Sequence, residues 1–199
     1  RLESTDPDYW RVYGLGQVGR NRATIFKVNE CEEIPPEAKL VSKGLDWGFV
    51  NDPSVLVETY VLGNSLYINE LFYEYGMTNR DIHNKLLDLG LTRQDEIFAD
   101  SSEPKSIDEL HRFGWNCKAA TKGKDSILMG IDLMKRYNIY VTTRSSNTLQ
   151  EFRNYKWIED KNGNLLNKPV DKFNHSVDSI RYSIFKKLSK PNVGRYAIR

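Results

Sequence analysis

The chain has 199 residues, 39% of them hydrophobic and 12% aromatic, which suits one domain with a sizeable core and excludes a disordered or low-complexity chain. A formal net charge of +2, from 29 basic and 27 acidic residues, permits nucleic-acid binding without arguing for it. No apolar run reaches the roughly 18 residues of a membrane span, and Cys31 and Cys117 lack the spacing of a zinc site or a disulfide framework.

Residues 1–37 are polar and end in Ile34-Pro35-Pro36-Glu37. Two adjacent prolines block a helix, so this stretch is expected to be a linker or the tail of a preceding domain. Within it, Gly14-Leu15-Gly16-Gln17-Val18-Gly19 matches the dinucleotide-binding spacing. That motif needs a strand before it and an amphipathic helix after it, and Arg20-Asn21-Arg22 begins no such helix.

A compact domain is expected over 38–190, followed by a tail at 191–199. Lys39 to Asp46 reads as a short strand, and Ser54 to Leu62 is alternating and β-branched, a second strand. Gly63-Asn64 fits a two-residue turn into a return strand from Ser65 to Tyr75. The pattern then becomes helical. Thr78 and Asp81 resemble a capping box ahead of Ile82, Leu86 and Leu87, and Gly90 ends the helix. Glu96 to Ala99 is a short apolar strand running into Asp100. Pro104 opens a helix to about Phe113, and Asn116 to Ala119 is another short strand. Asp125 is placed to cap a helix carrying Ile127, Leu128, Ile131 and Met134. A strand over Ile139–Thr142 and a helix over Ser145–Tyr155 follow. Asn162-Gly163 then signals a hairpin between Tyr155–Glu159 and Leu165–Lys168. A last helix, Asn174 to Leu188, carries Val177, Ile180, Ile184 and Leu188 on one face. This order predicts an α/β fold: a central mixed sheet, built from an antiparallel three-strand meander and then parallel strands, flanked by helices, plus an extra β-hairpin.

Metal-assisted phosphodiester chemistry needs several carboxylates at one spot, because Mg²⁺ and Mn²⁺ prefer hard oxygen ligands and a pair of ions can activate water and stabilise the leaving oxygen. Asp46 ends the first strand and Asp100 a later one. If those strands are neighbours, about 4.8 Å apart, the two acids can share an ion. Asp178 lies at the edge of the buried face of the last helix, and His175 is three residues earlier on the same face. Against this, an acid after a strand is commonly a turn or cap residue. Asp81, Asp108 and Asp125 read as caps or solvated charges, Asp52 before Pro53 as a turn residue, and Glu103 as a minor candidate.

The words GLDWG, FADSSEPKSI and FNHSVDSIRYSIF, in this order, resemble the nuclease domain of tailed-phage terminase large subunits, from about Leu40 to Leu188. The resemblance implies an RNase H-like fold and two-metal cleavage of double-stranded DNA with little sequence preference. It places the metal-binding and catalytic acids at Asp46, Asp100 and Asp178, with His175 as ligand, orienting group or proton shuttle. It also implies Mg²⁺ or Mn²⁺ as a pair of ions and the host cytoplasm as the setting. For a full-length protein it implies a small subunit and a portal as partners. No GxxxxGK[ST] phosphate loop is present, so motor activity is not expected of this chain, and residues 1–37 are similar to the stretch joining a motor domain to the nuclease.

Lys118, Lys122 and Lys124 in one polar loop, and Lys156 and Lys161 in the hairpin, are candidate phosphate contacts. Their bland alternatives are a solvated loop and a lysine-guarded edge. Three rival functions remain: a junction-resolving nuclease of the same superfamily, a fragment of an actin-like or sugar-kinase ATPase using Asp46-Trp47-Gly48 on a phosphate, and a non-catalytic docking module.

Overall fold

A computed structural model describes residues 23–121, 123 and 125–189; the glycine motif at 14–19, Lys122, Lys124 and the tail at 191–199 lie outside them. Strands β2 (Lys39–Asp46), β3 (Pro53–Leu62) and β4 (Ser65–Tyr75) form the antiparallel meander. Gly63, at φ 56°, makes the tight turn between β3 and β4, a backbone geometry that costs glycine least. Helix α1 (Asn79–Asp88) starts with the Thr78/Asp81 capping box. Strand β5 (Glu96–Ala99), helix α2 (Pro104–Arg112), β6 (Asn116–Ala119), α3 (Ser126–Met134), β7 (Asn138–Thr142) and α4 (Ser146–Asn154) follow. The hairpin β8 (Trp157–Glu159) and β9 (Leu165–Pro169) precedes the terminal helix α5 (His175–Leu188).

Among the described residues the main sheet runs β1-β7-β4-β3-β2-β5-β6, with β1 at Val28–Cys31. β5 runs parallel to β2 and β6, and β7 runs parallel to β4 and β1. Alternation along the strands divides the core between two faces. Leu45, Leu56, Ile97 and Ala99 pack with Ile82 and Leu86 of α1 and Ile107 and Leu110 of α2. Val55, Val57, Leu66 and Val141 pack on the other face with Ile131 of α3, Leu149 and Phe152 of α4, and Val177, Ile180 and Ile184 of α5. Each fully buried aliphatic side chain contributes roughly 1.5–3 kcal/mol of transfer free energy, so docking rather than propensity holds the serine-rich helix α5 in place.

Two expectations are corrected. The segment expected to be a linker packs on the domain from Ala23 onward: Ile25 and Phe26 are buried in the core, and β1 pairs with β7 in register Val28↔Ile139. The proline pair ends that excursion and does not begin the domain. Asp125 occupies the N-cap position of α3 in a left-handed conformation and makes no side-chain cap bond, and Ile127 on that helix is exposed. The expected hairpin is present: β8 and β9 close at Glu159↔Leu165 with Asn162-Gly163 inside the loop, and the Asp160 carboxylate accepts from the Asn162 and Asn164 backbone N–H groups at 2.8 Å each. Cys31 and Cys117 are both free thiols, and no described helix is long and apolar enough to cross a membrane.

Candidate metal centre

Asp46 is the last residue of β2, and Asp100 directly follows β5. Their strands are parallel neighbours with Leu45 opposite Ala99, so the two acids extend one rung further, at strand ends about 4.8 Å apart. Leu45 and Ala99 face the α1/α2 core. The period of two therefore turns Asp46 and Asp100 to the opposite face, under α5.

Gly44, two residues before Asp46, lets α5 come down onto β2. A Cβ at Gly44 would lie 1.7 Å from the Ser179 carbonyl oxygen, so only glycine permits this approach. Small polar residues complete the contact: the Ser179 hydroxyl donates to the Val55 carbonyl at 3.0 Å and the Ser42 hydroxyl to the Ser183 carbonyl at 2.8 Å. This docking carries Asp178 and His175 to the sheet rim. His175 Nδ1 lies 3.1 Å from Asp46 Oδ2, and its Nε2 lies 3.6 Å from Asp52 Oδ1. Asp178 Oδ1 accepts from Nε and Nη2 of Arg181 at 3.0 and 2.8 Å.

The acids share one field. Burial pushes the Asp46 carboxyl up to about 7; its hydrogen bond from His175 pulls the other way, and the charges of Asp178 and Asp100 push it further up. Burial also raises Asp178, with Arg181 opposing and Asp100 adding to the rise. For His175, burial favours the neutral ring, but the hydrogen bond and charge of Asp46, then Glu151 and Asp52, outweigh it and the net shift is upward. Crowded, half-desolvated carboxylates of this kind are what a divalent cation compensates, and oxygen donors suit Mg²⁺ or Mn²⁺. As they stand, no three His, Cys, Asp or Glu side chains among the described residues are arranged to cage an ion; Asp178 is turned to Arg181 and Asp46 to His175.

Of the remaining candidates, Lys118 is not brought to the centre: its ammonium lies 2.6 Å from Glu96, at the far end of β5 from Asp100. Lys156 and Lys161 are exposed at the hairpin. A groove of ≈ 500 Å³ between that hairpin and the start of α3 is lined by Tyr155, Lys168, Asp171, Asn174 and Asp178. Glu103 shares a neighbouring groove with Trp47 and Asp52.

Two residues, Glu151 and Arg181, escaped the sequence reading, and a third, Asp52, was read only as a turn residue. Asp52 reaches His175 because residues 48–54 fold back on themselves, with the Ser54 hydroxyl donating to the Gly48 carbonyl at 3.0 Å. Glu151, 2% exposed on α4, accepts from the Ser176 backbone N–H at 2.6 Å and from the Tyr73 hydroxyl at 2.9 Å. It thereby caps the first turn of α5 with a negative charge. Arg181 sits three residues after Asp178, a spacing that brings side chains together on a helix and was readable in advance.

The family model for the terminase RNase H-like domain matches residues 46–186. The chain is similar to the PBSX phage terminase large subunit of Bacillus subtilis (strain 168), with 28% identity over 194 residues, 92% of this chain and 45% of that protein. It is also similar to the terminase large subunit of Bacillus phage SPP1, with 30% identity over 159 residues, 77% of this chain and 37% of that one. The chain thus spans less than half the length of either relative. Among solved structures, the nuclease domain of the SPP1 large terminase, with bound Mn, superposes with a TM-score of 0.71 at 25% identity, covering 82% of this chain and 98% of that chain.

Proposed function

Because the chain belongs to the terminase RNase H-like domain family, we propose that it is a metal-dependent endonuclease that cuts double-stranded DNA during genome packaging. The observation that carries this reading is the approach of Asp46, Asp100 and Asp178 at one sheet rim, where the charges of Asp178 and Asp100 disfavour ionisation of Asp46 and that of Asp100 disfavours ionisation of Asp178.

Asp46, Asp100 and Asp178 are the residues that would hold divalent metal, two Mg²⁺ or Mn²⁺ ions. Bound there, the ions would supply Lewis-acid activation of water and offset charge on the phosphate. Burial keeps Asp46 and Asp178 in a medium of low polarity, where their attraction for a cation is least screened. His175, bonded to Asp46 through Nδ1, orients that carboxylate and is placed to hold a proton at Nε2. Asp52 steadies the ring from its far side. This assigns His175 an orienting role before that of a ligand, since both ring nitrogens face carboxylates. The groove beside Asp178, with Lys168 on its wall, and the exposed Lys156 and Lys161 are the proposed path of the DNA backbone, read through phosphates rather than bases.

In a longer protein, residues 1–37 would lead in from a motor domain, with their last part packed on the nuclease body from Ala23 onward; 38–190 would form the rest of that body and 191–199 a tail. The small subunit, the portal and the host cytoplasm are the proposed partners and setting. Family membership leaves no place for the actin-like ATPase reading. The test is plasmid nicking with Mg²⁺ or Mn²⁺ by the parent and by Asp100→Asn. Nicking that needs the metal and is lost in the variant is expected; equal nicking by both, or nicking in EDTA, would refute the proposal. Activity on branched but not linear duplex would point to a junction-resolving enzyme.

A further inference from the structure

Arg181 is a buried cation whose contact with the candidate centre is unusually one-sided. The residue is 5% exposed, and both donating nitrogens, Nε and Nη2, converge on the same oxygen, Asp178 Oδ1. A guanidinium and a carboxylate left to pair freely favour the fork arrangement that uses both oxygens. Here Oδ2 takes no hydrogen bond among the described residues.

The surroundings hold Arg181 in this pose. Its guanidinium carbon lies 5.3 Å from the centre of the Tyr182 ring, and Nη1 lies 3.5 Å from the Ser126 carbonyl oxygen. On α3, Gly130 leaves the room its stem fills: a Cβ there would come within 2.5 Å of Arg181 Cδ and 2.9 Å of Cγ. A glycine inside a helix is destabilising by roughly 1 kcal/mol relative to alanine, so its position against this side chain marks a packing requirement.

Building on the reading of Asp178 as an ion ligand, we propose that Arg181 is a positioning residue that sets metal selectivity by restricting Asp178 to one coordinating oxygen. Mg²⁺ holds a tight octahedron and uses few carboxylates, and Mn²⁺ also takes octahedral oxygen sites. Ca²⁺ takes 6–8 oxygens at longer distances and accepts bidentate carboxylates. Blocking one Asp178 oxygen therefore penalises Ca²⁺ most. Releasing it removes an orienting partner from the site and opens the two-oxygen mode that Ca²⁺ uses.

The test is calorimetric titration of the chain with Mn²⁺ and with Ca²⁺, without DNA, for the parent, Arg181→Met and Gly130→Ala. Circular-dichroism melts of the same samples establish folding. Arg181→Met is expected to weaken Mn²⁺ binding about 10–100-fold, the usual effect of removing a residue that orients a ligand, and to weaken Ca²⁺ less, so that the Ca²⁺:Mn²⁺ affinity ratio rises about tenfold. Gly130→Ala keeps the positive charge and displaces the stem. It should shift the ratio the same way, and it decides the matter alone if Arg181→Met does not fold. Equal changes for both ions would overturn the proposal, as would tighter binding of both, the signature of a cation that merely repels metal. A parent that binds neither ion would instead overturn the metal-centre reading on which the proposal stands.

Discussion

Replacing Asp46 with asparagine should stabilise the metal-free domain while abolishing its chemistry. The carboxyl, ordinarily near 3.8, is pushed up to about 7, first by burial and then by Asp178 and Asp100, against the opposing hydrogen bond from His175. Between those two values the folded state binds more protons than the unfolded chain. The stability of the metal-free protein therefore falls as pH rises through that window, and the full loss stands above about pH 7. The gap corresponds to on the order of 4 kcal/mol. His175 acts in the same direction: its raised value means that its contribution is present at low pH and is lost as pH rises through the folded value. Asparagine carries no charge to desolvate and keeps an acceptor oxygen for the His175 Nδ1–H, but it forfeits the charge-assisted part of that bond. A net gain of about 2 kcal/mol at pH 8 is expected, or roughly 4–8 °C in Tm. At pH 5, where Asp46 is already protonated, the gain should shrink toward zero. Thermal unfolding in EDTA at the two pH values, paired with plasmid nicking, reads both halves. A variant destabilised equally at pH 5 and pH 8, or one that still nicks, would refute the reasoning.

Substitutions at two further positions probe the docking of α5. Gly44→Ala forces a methyl group into the Ser179 backbone and should cost about 3 kcal/mol, read by urea unfolding; an unchanged midpoint would mean that α5 does not lie on β2 as described. Glu151→Ala strands the Ser176 N–H and the Tyr73 hydroxyl at roughly 1–3 kcal/mol each, so a loss of about 3 kcal/mol is expected, with Glu151→Gln losing less because one acceptor survives. Equal losses in the two variants would point to packing rather than capping.

Several strands were legible from their apolar runs and the turn residues that bound them: β2, β4, β5 and β6 fall where the residue pattern puts them. That Asp46 and Asp100 end strands was legible too; the face they share follows only from the pairing of β2 with β5. Strand β1 was not legible. Val28–Cys31 has four residues, two of them polar or charged, and it joins the sheet only because β7 offers an open edge. The centre was readable where an acid's place follows from its own element, as with Asp46 at a strand end and Asp178 on a helix. It was unreadable where the place follows from tertiary contact. Glu151 reaches α5 from another helix, and Asp52 reaches His175 through a fold-back of the chain. Lys118, read as lying in a polar loop, stands on β6 with its ammonium 2.6 Å from Glu96.

The measurement that bears most directly on the account is the location of Mn²⁺ by anomalous scattering in crystals of this protein. Ion density is expected within about 2.5 Å of carboxylate oxygens of Asp46, Asp100 and Asp178 together. Mn²⁺ bound at a site lacking any two of these acids, with the rim between β2, β5 and α5 filled by water alone, would contradict it.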